Sequence, residues 1–157
     1  MATYHDARLV LELSRWAQDW GFHEANSWVF GRQFPADYPA FEANCPVGSE
    51  GYSAVHKVLG FYENVGLFLE HGVIDAPFLF DWLDAVSVWD RVGPVALGLR
   101  RQAGIPALWR SFERLAERQR AHLGIAEEGG SDGDAGPGQS EHPSRGLVAP
   151  GRAVAGR

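Results

Sequence analysis

The 157-residue chain carries 14 Lys and Arg against 20 Asp and Glu, a net charge of -6, with 45% hydrophobic residues. It has enough apolar material for one core, but no run approaching the roughly 20 apolar residues of a membrane span. Residues 1–123 hold 11 basic and 15 acidic side chains and residues 124–157 hold 3 and 5, so broad attraction to nucleic acid is not expected.

Thr3 and Asp6 form the pattern of a capping box, and Leu9, Val10, Leu13, Trp16, Ala17 and Trp20 fall on one stripe, predicting a first helix over 4–20. The charged residues in this segment, and the lack of a small-residue cleavage site, argue against a signal peptide. The lone Cys45 excludes an internal disulfide and a Cys-rich zinc site. Both points lead us to expect the cytoplasm. A shorter helix is predicted from His23 to about Gln33. A long connection rich in Pro and Gly follows, with one helical turn at 38–44.

Ser49 opens the strongest helical pattern, in which Tyr52, Val55, Leu59 and Tyr62 share a face, and Gly72 closes it. Gly60 and Gly66 interrupt it, each costing about 1 kcal/mol relative to Ala, so both are expected to admit a close neighbour. Asp75 caps the next helix, with Leu79, Trp82, Leu83, Val86 and Trp89 inward. Gly93-Pro94 is expected to break or kink it, leaving a piece over 94–103. The helix over 50–71 and this Trp-bearing helix are expected to be the central pair. Pro106 starts the last helix, with Leu108, Trp109, Phe112, Leu115 and Ala116 inward. No stretch alternates with period two. The expectation is an all-α bundle of five to six helices over 1–123, with a disordered tail over 124–157 rich in Gly, Ala and Pro.

Candidate chemistry is sparse. No Glu-x-x-His or His-Glu-x-x-His motif occurs, nor a nucleophile elbow, a P-loop or a dinucleotide fingerprint. No metal or cofactor is implied. His56, Glu63 and Glu70 lie at i, i+7 and i+14 on one helix, a row that could collect a cation and that helical spacing also produces as a solvated stripe. Glu63, flanked by apolar residues, calls for a cationic partner, with Arg91, Arg100 and Arg101 the candidates. Such a pair marks a site or a structural bridge. Cys45, before a proline, reads as a small apolar filler.

Phe61, Phe68 and Phe80 fall partly off the inward stripes and could form an exposed contact patch. Arginines gather at 100–120, where Arg110, Arg114 and Arg118 are interleaved with Glu113 and Glu117. That spacing reads as local ion pairing more readily than as a phosphate-binding face.

The segment over 58–118 resembles a bacterial family known as domain of unknown function 4760. The likeness is carried by the turn Gly72-Val73-Ile74-Asp75, the Trp-bearing helix after it, an Arg-containing segment, and the closing Phe112-Glu113-Arg114-Leu115. The resemblance implies a helical fold and no mechanism. The residues therefore favour a non-catalytic module that contacts a protein partner or itself. The alternative is a small-ligand, metal-binding or enzymatic site around His56 and Glu63.

Overall fold

In a computed structural model, which describes residues 1–35 and 37–125, side-chain caps set most helix starts. The elements are α1 (Tyr4–Trp20), α2 (Phe22–Val29), α3 (Tyr38–Asn44), α4 (Glu50–Glu70), α5 (Ala76–Trp82), α6 (Ala85–Ala103) and α7 (Arg110–His122). The described residues are thus all-α, in seven helices where five to six were expected. The tail expected to be disordered lies, from residue 126 on, outside the described residues. No described helix is long and apolar enough to cross a membrane.

The caps follow the sequence closely. Thr3 and Asp6 close a reciprocal capping box on α1, and Asp37, Ser49, Asp75 and Asp84 each accept a backbone N–H in the first turn of α3, α4, α5 and α6. Each such cap stabilises its helix by about 1 kcal/mol. Gly21 ends α1 in the left-handed conformation at φ 72°. Helix α2 stops at Val29, short of the expected Gln33, and the carbonyls of Val29 and Gly31 are taken by the Arg91 guanidinium.

One break lies elsewhere than expected. The segment over 76–103 divides at Leu83-Asp84, where Leu83 is extended at φ -125° and ψ 160°, and α6 runs unbroken through Gly93-Pro94. Pro94 is exposed, so water can serve the carbonyl left without a donor. At the true break Gln119 of α7, only 2% exposed, serves both chain ends. Its Oε1 accepts from the N–H groups of Ala85 (2.7 Å) and Val86 (3.1 Å). Its Nε2 donates to the carbonyls of Phe80 (3.1 Å) and Leu83 (2.6 Å).

Helix α4 is the hub, but its partners differ from the expected pair. It packs chiefly on α7 and α2, and far less on α6, while α7 also packs on α6 and α3 on α6. The cause is visible at Gly66, where a Cβ would sit 2.3 Å from the Ser111 carbonyl oxygen, so only glycine lets the start of α7 approach. Gly60, by contrast, has nothing within 4 Å of such a Cβ and admits no neighbour. Val55, Val58, Leu59 and Val65 of α4 are fully buried, with Phe112 and Leu115 of α7 and Leu79, Val92 and Val95 beyond them.

Candidate functional site

The carboxylates of the expected row on α4 are directed at α7. Trp109, at the N-cap of α7, makes no side-chain cap bond. Glu63 supplies one from α4 instead, its Oε2 accepting from the Phe112 N–H at 2.9 Å. Two turns further on, Glu70 accepts from the Ser111 hydroxyl at 3.3 Å and pairs with Arg114 at 3.5 Å. Two negative groups thus face the positive end of the α7 dipole. The Glu63–Arg pair expected from the sequence does not form, because a helix N-terminus provides the donor in its place.

His56 stands apart from both. Its ring stacks on Tyr52 at 4.0 Å, and Nδ1 lies 2.9 Å from the Tyr52 carbonyl. That carbonyl can only accept, so Nδ1 carries a proton and Nε2 is the nitrogen left free for another contact. Trp109 approaches edge-on, its ring centroid 6.1 Å away. Trp109 is in the left-handed region at φ 60°, and its indole nitrogen is buried without an acceptor among the described residues.

The arginines scatter as well. Arg91 holds the end of α2 and lies 4.8 Å over the Phe34 ring. Arg100 donates to the Leu108 carbonyl and to Glu113, both at 2.8 Å, fastening the turn before α7. Arg101 is exposed and pairs with no described carboxylate. Among the described residues no three His, Cys, Asp or Glu side chains are placed to hold a metal ion.

The expected phenylalanine patch is not an exposed surface. Phe61 is 3% exposed and Phe80 8%, and Phe68 is half-buried. Trp16 of α1 and Phe22 of α2 cover Phe61, at 5.2 and 4.4 Å between rings, and His122 lies 5.2 Å from Phe80. Helix α4 is enclosed on more than one face, so a residue off one inward stripe lies on another.

Four titratable groups among the described residues are shifted by structural causes, one of them Tyr38, raised by burial and by the neighbouring Glu42. Burial raises the Cys45 thiol, leaving it a protonated core group and a poor nucleophile. Burial also raises Tyr62, whose hydroxyl donates to the Asp84 carbonyl at 3.1 Å. Asp6 is lowered to about 2, chiefly by the Thr3 hydroxyl and then by the backbone N–H groups of Asp75 and Thr3.

Two open clefts of similar size lie among the described residues, one of about 500 Å³ lined by His23, Glu24, Ser27, Trp28, Gln33 and Glu50, the other of about 530 Å³ between the start of α3 and the middle of α6. Tyr38 and Pro39 form one side, and Trp89, Gly93, Pro94 and Leu97 the other, with Arg101, Asp37 and Asp90 around the rim. Gly98 makes room for Tyr38, since a Cβ there would lie 2.0 Å from its ring. Asp90 is paired with Arg120. Of the candidate site residues expected from the sequence, only Arg101 reaches this cleft. The rest of it was legible in one respect, because Trp89, Gly93, Leu97 and Arg101 recur every four residues on α6. Gln119 was also legible, lying on the inward stripe of Phe112, Leu115 and Ala116.

A family model described as Domain of unknown function (DUF4760) matches residues 5–119. This span runs from the first turn of α1 nearly to the end of α7, well beyond the 58–118 over which the likeness was read. No curated protein and no solved structure matches the chain.

Proposed function

The chain belongs to the DUF4760 family, whose description assigns no activity, and from the geometry we propose a helical module that works by binding, without catalysis of its own. Its counterpart is another protein or a second copy of the chain, and its setting is the cytoplasm. The reading is carried by how the charged groups of the candidate cluster are used. Glu63, Glu70, Arg91 and Arg100 each serve a helix end or turn of the frame, which leaves Arg101 on the rim of the α3/α6 cleft. The test is partner capture from the native cell with full-length bait, alongside sedimentation velocity over a range of concentrations. Wild type is expected to hold a partner or to self-associate, and Arg101→Glu to lose most of that signal. Equal behaviour of the two proteins would refute the reading.

A second reading places a small ligand at His56. It is favoured by the indole N–H of Trp109 beside that ring, buried and unpaired among the described residues, since a buried donor normally has a partner and left-handed non-glycine backbone gathers at functional sites. A thermal-shift screen against small anions and polar metabolites tests it. A rise in melting temperature that His56→Ala abolishes would put this reading first.

A further inference from the structure

The α3/α6 cleft has a length, a lining and a charge that together describe an occupant, and on the binding reading above we propose that it takes an extended, proline-containing peptide segment with acidic residues at one end. Trp89, Gly93, Leu97 and Arg101 follow one line along α6. At 1.5 Å per residue that line is about 18 Å long, the span of about six residues of polyproline II at 3.1 Å each. The cleft is open to solvent, which suits a chain segment lying along it more than a small molecule that must be mostly enclosed.

The lining selects proline. Tyr38 and Trp89 are both half-buried and line the cleft; the Trp89 indole lies over the buried Gly93, and between the two aromatic residues α6 exposes the low ring of Pro94. Aromatic-walled grooves of this kind seat the rings of a polyproline II segment, whose backbone is already extended and loses little freedom on docking. Pro94 adds a polar feature. It has no N–H, so the Asp90 carbonyl lacks its regular helical donor beside the cleft and can accept from a peptide N–H.

Charge distinguishes the two ends. At the Trp89 end, Asp90 is already neutralised by Arg120, and the Asp37 carboxylate accepts from the Ala40 N–H. At the other end Arg101 is a cation with no carboxylate partner among the described residues. Glu42, the nearest acidic side chain of α3, is engaged by the Tyr38 hydroxyl and by Gln102. Arg101 therefore favours an acidic residue at that end of the docked segment.

Fluorescence anisotropy with the full-length chain tests this, using a labelled seven-residue peptide of three prolines followed by two glutamates. Two controls carry arginines in place of the glutamates, or alanines in place of the prolines. Wild type is expected to bind the first peptide saturably and each control at least tenfold more weakly. Arg101→Glu, an exposed change that leaves the core intact, is expected to reverse the preference between glutamate and arginine. Trp89→Ala is expected to weaken binding of the first peptide at least tenfold, with helicity checked by circular dichroism. Equal binding of the three peptides, or an Arg101→Glu protein with unchanged preference, would overturn the proposal. If Arg101→Glu abolishes partner capture while wild type ignores all three peptides, the peptide chemistry is wrong and the binding reading stands. If neither capture nor peptide binding responds to it, both fall.

Discussion

Gln119 holds more backbone than any other side chain in the core. Between α5 and α6 the chain leaves two carbonyls and two N–H groups at adjacent helix ends, and one buried amide meets all four. An amide is suited to this because it offers an acceptor and two donors without charge. Gln119→Leu preserves bulk and strands those groups. At about 1–3 kcal/mol for each buried hydrogen bond left unmade, with partial relaxation, a loss of about 3–5 kcal/mol is expected in urea unfolding. Gln119→Glu should fare no better, since a carboxylate cannot donate to Phe80 and Leu83 and would be buried as a charge.

At the level of elements, the two glycines of α4 should behave oppositely. Gly60→Ala meets no neighbour and improves helix propensity, so it is expected to stabilise the protein by about 0.5–1 kcal/mol. Gly66→Ala has the same propensity gain but drives a methyl into Ser111, and a net loss of about 2 kcal/mol or more is expected. A pair of thermal melts settles both. The contrast also shows what sequence could and could not convey. Helix starts at Thr3, Ser49 and Asp75 were legible because a cap is a local event within four residues. The division at Leu83-Asp84 carries a local cap too, in Asp84, but the amide that holds both chain ends there lies more than thirty residues away on α7 and left no local sign. Nor was the role of Glu63 legible, because a stripe on one helix does not say which neighbour it faces. Pro94 looked like the obvious break, yet a proline on a solvent-facing turn leaves the helix intact.

For the molecule as a whole, acid stability should carry the mark of the N-terminal segment. Asp6, 5% exposed, accepts the Asp75 N–H at 2.9 Å and so ties α1 to the turn before α5. Its carboxyl falls from an ordinary 3.8 to about 2 in the folded chain. A lowered folded pKa means the bonds contribute fully above the unfolded value and are lost as pH falls through the folded one. Asp6→Asn is therefore expected to be less stable than wild type at pH 7, with the gap narrowing between about pH 4 and pH 2. Urea melts at several pH values would show it, and a gap constant across that range would count against the tie.

Helix α7 comes late in the chain, and its first turn is finished by a carboxylate that α4 supplies. An α7 peptide made alone should fray at its start, and a nascent chain stopped before residue 110 would expose the greasy side of α4. Synthesis from the N-terminus thus leaves that face of α4 uncovered until α7, the last of the described helices, has emerged, and such transiently open apolar surface is prone to aggregate.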